Sequence, residues 1–198
     1  LLFKSNFFFK PHYPCRRVNS IYFDTKSLKN INENLDGISD RKKFRVRWYG
    51  DVNLIRKPVF EIKYKNNFET SKKSVLLNIF EKLDLNNNRD YIELCNFIKK
   101  KYFKDNYIIP TCQISYDRIY LISANKLIRA TIDFNIKSKR LMYFKDSFFR
   151  LFSDKILEIK YSTKDDKYVR DNISNINLRL MKSSKYINYS LSKSNVII

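Results

Sequence analysis

Five segments of this chain alternate between charged or polar residues and apolar ones, and that alternation limits the fold more than any other feature. In residues 42–49, KKFRVRWY, Lys43, Arg45 and Arg47 share one face, while Phe44, Val46 and Trp48 share the other. In residues 59–65, VFEIKYK, Glu61 and Lys63 oppose Phe60, Ile62 and Tyr64. Tyr116 and Arg118 share a face further on. Arg129, Thr131 and Asp133 stand against Ile128, Ala130, Ile132 and Phe134, and Glu158 and Lys160 against Leu157, Ile159 and Tyr161. Successive side chains point to opposite faces of a strand, so each segment is half apolar and half charged. The plain explanation is an amphipathic sheet with its apolar face on the core and its charged face in water. What exceeds that explanation is the kind of charge: mostly Arg and Lys, with one Glu two residues before a Lys on each of two strands.

The other elements follow from pattern and punctuation. Residues 17–24, RVNSIYFD, are β-branched and aromatic and read as a strand. Thr25 can cap a following helix whose Leu28, Ile31 and Leu35 fall on one face, and Gly37 stops it. Gly50-Asp51 turns the chain. A short helix is expected over 75–83 and a longer one over 88–102, with Asn88 as its cap and Tyr91, Cys95, Ile98 and Tyr102 on one stripe. Residues 111–123 and 127–136 read as strands joined through Ala124-Asn125-Lys126, a hairpin-length connection. Residues 156–161 form a further strand. Asp171 then caps a last helix carrying Ile173, Ile176 and Leu180. Residues 1–14 mix Phe, Lys and Pro without a period. Neither a linker nor a repeat interrupts the chain, so one α+β domain with an antiparallel sheet is the economical reading.

Composition narrows the function. The 198 residues carry 40 Lys+Arg against 20 Asp+Glu, a formal charge of +20. A hydrophobic share of 43% with 16% aromatics excludes a disordered basic tail. Cys15, Cys95 and Cys112 are isolated, which indicates neither a disulfide scaffold nor a zinc site; reduced thiols and a cytoplasmic setting are expected. His12, the one histidine, reads as a surface or packing residue. The longest apolar stretches, such as residues 119–122, are strand-sized and far short of a bilayer span. A field this positive recruits polyanions: nucleic acid, an anionic membrane surface, or phosphate-rich molecules.

Closing the sheet with its charged face inward would make the lumen a cationic tunnel, covered outside by the helices. Such a lumen needs an anion to relieve its own repulsion. A triphosphate or polyphosphate meets that need: Arg offers planar forks for phosphate oxygens and Lys offers point charges. A Glu among these cations suits a hard divalent metal that bridges phosphates.

Several motifs occur in a recognisable order. They are RVNSIYFDT (residues 17–25), NLDG followed by RKKFRVRWYG (34–50), FEIKYK (60–65), YDRIYL (116–121), IRATID (128–133), LEIKY (157–161) and KSSKY (182–186). In that order they resemble the VTC domain, the catalytic unit of polyphosphate polymerases within the triphosphate tunnel metalloenzymes, or CYTH superfamily. The resemblance spans residues 17–186, leaving 187–198 as a tail of a single domain covering 1–198. It implies an α+β fold built on an antiparallel β-barrel with flanking helices. It also implies transfer of the terminal phosphate of ATP onto a growing polyphosphate chain, with Mn2+ or Mg2+ as cofactor.

By motif, the resemblance places Arg45, Arg47, Lys63, Arg118 and Arg129 on the tunnel wall and Lys160 beside Glu158. Glu158 would be a metal ligand, with Glu61 as a second acidic candidate. Ser184 and Lys185 would contact phosphate near one mouth, and Lys43 and Tyr116 are further phosphate or nucleotide contacts. Relatives carry an E-x-E-x-K first strand that residues 1–10 do not match, so the expected barrel lacks that strand or has a diverged one. A membrane-associated partner subunit or domain outside this chain is also implied. Two other readings stay open: a tunnel triphosphatase, and a non-catalytic module that binds polyphosphate or RNA. The aromatics count against nucleic acid, because most sit opposite the Arg/Lys face, where they could not stack on the same ligand.

Overall fold

The apolar side of each alternating strand determines where the helices lie. The computed structural model describes residues 6–67, 69–103, 107–141, 148–173, 181 and 183–190. In chain order the elements are β1 (Lys10–Thr25), α1 (Lys29–Leu35), β2 (Arg41–Tyr49), β3 (Leu54–Arg56), β4 (Val59–Asn66), β5 (Glu69–Leu76) and β6 (Lys82–Asp84). There follow α2 (Asn88–Tyr102), β7 (Ile108–Ile122), β8 (Arg129–Arg140), β9 (Arg150–Phe152), β10 (Ile156–Lys160), α3 (Asp166–Ile173) and α4 (Lys185–Ser190). An eight-stranded sheet and the two-stranded β3-β6 ladder hold the strands, and every pairing with a recorded register is antiparallel. This is the α+β class with the antiparallel sheet that the alternation predicts.

The described residues group into two compact units. The larger draws on Arg17–Ser115, Lys137–Leu151 and Ser184–Ile198, and the smaller on Leu1–Arg16, Tyr116–Ile136 and Phe152–Ser183. β1, β7 and β8 each contribute a stretch to both. In the larger unit the hydrogen-bonded order is β7-β1-β2-β4-β5. Ile21, Phe23, Val46, Trp48 and Phe60 project from one face of that sheet into a core closed by Leu94, Cys95 and Ile98 of α2 and by Ile55 and Leu83 of β3 and β6. Each large apolar side chain buried this way contributes about 1.5–3 kcal/mol. In the smaller unit the order is β10-β8-β7-β1. There Leu121, Ile128 and Ala130 pack with Phe7, Phe9 and Val169 of α3.

Four local expectations are corrected. The short helix over 75–83 is not formed: Glu69–Leu76 is a strand on β4, and Lys82–Asp84 pairs with β3. Leu77, Phe80 and Leu83 are spaced like a helix face, yet a turn from Leu77 to Phe80 delivers all three to the core. The strand expected from residue 17 begins at Lys10 and passes through Pro11 and Pro14. Proline's fixed φ suits extended backbone, while the pair hides the period. Asp171 lies inside α3 rather than capping it, and Ile176 and Leu180 fall outside the described residues. Finally, Asn87 rather than Asn88 caps α2, its side chain accepting from Arg89 N at 3.0 Å.

The first helix is held by more than its expected cap. Thr25 Oγ1 accepts from Lys29 N at 2.9 Å. Leu28, at the N-cap position, sits in the left-handed region with φ 56° and supplies no side-chain bond. The Asp24 carboxylate fills the gap, accepting from Asn30 N at 3.0 Å and Ile31 N at 3.1 Å. Gly37, with φ +73°, ends the helix as predicted.

Candidate functional site

In the larger unit, antiparallel pairing turns the one-strand alternation into a two-dimensional array. Lys43 faces Lys63, Arg45 faces Glu61, and Arg45 and Arg47 face Tyr22 and Ser20 on the other side. β5 adds Ser74 opposite Glu61 and Lys72 opposite Lys63. All these side chains lie on the face away from the Trp48 core, because cross-strand partners share a face.

At the centre is Glu61, 2% exposed. Its Oε2 accepts from Arg45 Nε at 2.7 Å and Nη2 at 2.6 Å. Its Oε1 meets Arg47 Nη2 at 2.9 Å and Lys72 Nζ at 2.6 Å. Burial pushes this carboxyl upward, but Arg45, Lys72 and Arg47 outweigh it and hold it below the usual carboxylate range. Arg45 Nη1 also reaches the Tyr22 hydroxyl at 3.4 Å.

Lys43 marks a second cluster. Its Nζ donates to Ser184 Oγ at 2.7 Å, just ahead of α4. With the Asn34 amide oriented to suit its neighbours, Asn34 Oδ1 accepts from Arg41 Nε at 2.8 Å and from Lys43 Nζ at 3.0 Å. Burial, then the charges of Lys63, Arg41 and Lys65, push the Lys43 ammonium down to about 8. The protonated form is the one that holds an anion, so anion affinity is full below about pH 8 and falls as pH rises through it. Calorimetry with inorganic triphosphate is expected to show about tenfold weaker binding at pH 9 than at pH 7. Lys43→Gln flattens that profile; an unchanged profile in the variant removes Lys43 as its source.

α4 is fixed by a tyrosine that no motif reading singled out. Tyr186 donates to Asp24 Oδ2 at 2.9 Å, bonds Thr111 Oγ1 at 3.0 Å, and stacks on Tyr22 at 4.7 Å between centroids. Ser184 and Lys185 are therefore anchored through their neighbour. Lys63 is exposed and Lys185 half-buried.

The smaller unit repeats the same alternation. Arg118 forms a two-pronged contact with Asp133, Nε to Oδ1 at 2.6 Å and Nη2 to Oδ2 at 2.8 Å, and Asp133 is fully buried. Burial pulls the guanidinium down, but the Asp133 bond outweighs it and the group is raised. Tyr116 and Tyr120 lie on the same face as Arg118, its guanidinium carbon 5.2 Å and 6.0 Å from their ring centroids. Arg16 lies 4.9 Å from the centre of Tyr120 and 5.9 Å from that of Tyr13. On this strand aromatics and cations interleave instead of taking opposite faces. Glu158 stands across from Thr131 and Lys160 across from the exposed Arg129. Lys160 Nζ is 3.3 Å from Glu158 Oε1, with both side chains about half exposed. Thr131 Oγ1 is buried and has no hydrogen-bond partner among the described residues.

The structure thus brings Arg45, Arg47 and Glu61 together with Lys72, joins Lys43 to Ser184, and sets Arg118 on Asp133. Sequence reasoning missed Lys72 because its strand, ETSKKSVL, carries no alternation of apolar residues. Among the described residues no group of three or more His, Cys, Asp or Glu side chains could hold a metal by themselves. Nor, among those residues, is any helix long and apolar enough to cross a membrane.

Two solved structures resemble the chain at 10% identity. One is HpAC1 from Hippeastrum, a candidate adenylyl cyclase described as having a dominant triphosphatase activity (TM-score 0.40, covering 84% of this chain and 74% of that one). The other is the PH1819 protein from Pyrococcus horikoshii OT3 (TM-score 0.41, covering 84% and 76%). No curated protein matches the chain. The VTC domain model matches residues 10–192, which is most of the chain. The chain belongs to the VTC domain family, the family its ordered motifs resemble.

Proposed function

We propose that this protein is a phosphoryltransferase that passes the terminal phosphate of ATP onto a polyphosphate chain. The observation that carries the reading is the face of the larger unit that bears Lys43, Arg45, Arg47, Lys63 and Lys72, with Arg45, Arg47 and Lys72 paired to one buried carboxylate. A cationic surface organised by register, not scattered over the exterior, matches a linear polyanion with charge at regular intervals. Arg45 and Arg47 supply forks for pairs of phosphate oxygens, and Lys43 and Lys63 supply point charges. Ser184 and Lys185, held by Tyr186, add a hydroxyl and a charge at the end of that face. In the smaller unit, Arg118, Arg129 and Lys160 are assigned as further phosphate contacts, and Tyr116 as the ring against which Arg118 is set.

Phosphoryl transfer needs no covalent nucleophile on the protein. Its demands are alignment of donor and acceptor and stabilisation of charge spread over the transferred group. The residues here meet them with fixed donors, since the Arg45, Arg47 and Arg118 guanidiniums are each oriented by a buried carboxylate before any ligand arrives.

Among the three carboxylates described above, Glu158 suits a divalent cation best. Asp133 is occupied by Arg118 and Glu61 by three cations, whereas Glu158 is about half exposed and meets Lys160 at 3.3 Å, with Thr131 across from it. One carboxylate suits an Mg2+ or Mn2+ ion that takes most of its ligands from phosphate and water. Bound there, the ion would supply neutralisation of phosphate charge.

The test is incubation with ATP and Mn2+, followed by separation of products by chain length. A ladder of long anionic polymer is expected. Phosphate release without polymer would replace the polymerase with a triphosphatase, and no turnover would leave a binding module. Glu158→Ala is expected to lower metal-dependent turnover by about a hundredfold, the scale of one lost electrostatic contact at a transition state; unchanged turnover rejects the metal assignment.

A further inference from the structure

A carboxylate buried inside a cation cluster is an odd component for an anion-binding face, since its charge repels the ligand. Glu61 is 2% exposed, and its two oxygens make four charged contacts between 2.6 and 2.9 Å. A carboxylate has about four lone-pair sites, so these contacts use its accepting capacity and leave no oxygen for a metal. The contacts are also unequal in kind. Arg45, directly across the strand, is gripped through Nε and Nη2 on one oxygen, while Arg47, one pleat along, is held by a single Nη2 on the other. Arg47 Nε is buried and has no partner among the described residues. Ser20, fully buried and directly opposite Arg47, has an Oγ in the same condition.

We propose that Glu61 is a positioning residue for anion binding: it holds the partly exposed Arg45 and Arg47 forks in one orientation, so that a bound anion meets guanidiniums already in register. This rests on the triphosphate-binding reading above and names what makes that site selective. Without the carboxylate, Arg45, Arg47 and Lys72 repel one another and swing apart, and a ligand must reassemble them at its own expense. Buried ion pairs add little to stability as such and serve better to fix a geometry.

The proposal makes a prediction of opposite sign to simple electrostatics. If only net charge mattered, Glu61→Gln would remove a repulsion and tighten anion binding, most of all for the most highly charged ligand. Positioning predicts the reverse. Calorimetric titration of the whole chain with inorganic triphosphate and, separately, sulfate is expected to show about tenfold weaker triphosphate binding in Glu61→Gln. The ratio of triphosphate to sulfate affinity falls with it, because sulfate does not need several forks in register. Circular dichroism confirms that the variant is folded. Should Glu61→Gln fail to fold, Glu61→Asp keeps the charge on a stem too short to reach both arginines, and the same fall in the ratio is expected. Triphosphate binding as tight as in the parent, or tighter, overturns the positioning role while leaving the function reading intact. A parent protein that does not bind triphosphate overturns both.

Discussion

Arg45→Ala is expected to weaken inorganic triphosphate binding by about ten- to a hundredfold, the cost of about 1.5–3 kcal/mol of charge-assisted hydrogen bonding. Lys100→Ala, which removes one exposed charge from the far end of α2, is expected to change it by less than about twofold, as a solvated surface charge does. The contrast separates an organised site from a diffuse field. A chain of net charge +20 attracts any polyanion, and a diffuse field loses the same small fraction whichever cation is deleted. An organised face loses most at the residue whose fork is fixed. Arg45 meets that condition: it is 26% exposed at the side chain and held on Glu61 through two nitrogens. The truncation leaves Glu61 paired with Arg47 and Lys72, so no buried charge is stranded and the fold is expected to persist. Arg45→Lys is expected to recover only part of the loss, because an ammonium cannot engage two oxygens in one plane. Equal effects of Arg45→Ala and Lys100→Ala would end the case for a built site.

Asp24→Ala is expected to cost about 3–5 kcal/mol of stability, read by chemical denaturation, and to lower the melting temperature by about 10 °C. Asp24 is fully buried and accepts five hydrogen bonds. They come from Thr25 N at 2.7 Å, Asn30 N at 3.0 Å, Asn30 Nδ2 at 2.8 Å, Ile31 N at 3.1 Å and the Tyr186 hydroxyl at 2.9 Å. Removing it strands the first turn of α1 and releases the tyrosine that anchors α4. Phosphate binding is expected to weaken as well, because Ser184 loses its fixed position beside Lys43. Asp24→Asn, which keeps one accepting oxygen, is expected to fall between the two. A loss under about 1 kcal/mol for Asp24→Ala would show that water replaces these bonds and that the Thr111 bond and stacking on Tyr22 suffice to hold Tyr186.

Strands that alternate cleanly were legible from sequence, and elements that interrupt the period were not. Residues 42–49 and 59–65 became β2 and β4 almost to the residue, because one apolar face is demanded by the Trp48 core. Residues 75–83 carry a helical spacing without a helix, because three apolar side chains delivered by a turn and a short strand copy that spacing. β5 went unseen for the opposite reason: an exposed edge strand rich in Lys and Ser buries almost nothing and so leaves no pattern.

The candidate site divides along the same line. Alternation placed Arg45, Arg47, Glu61 and Lys63 on a shared side, and the motif order pointed to phosphate. It did not say which cation meets which carboxylate. Glu61 reads as a possible metal ligand from its spacing to Lys63, yet the register of β2 on β4 sets it directly against Arg45. The tyrosines of β7 show the converse: the shared face of Tyr116 and Arg118 was legible from spacing, and the structure adds Tyr120 on the other side of the guanidinium.

What the amino-acid order determined alone was the side of each strand on which charge and hydrocarbon lie, because a period of two residues is a local property of extended backbone. Tertiary structure decided the pairings: Glu61 with Arg45, Arg47 and Lys72, Asp133 with Arg118, and Asp24 with Tyr186 across 162 positions of chain. Register comes from long-range ladders and from the cores that hold them. A shift of one residue there would exchange every face while leaving the local pattern untouched.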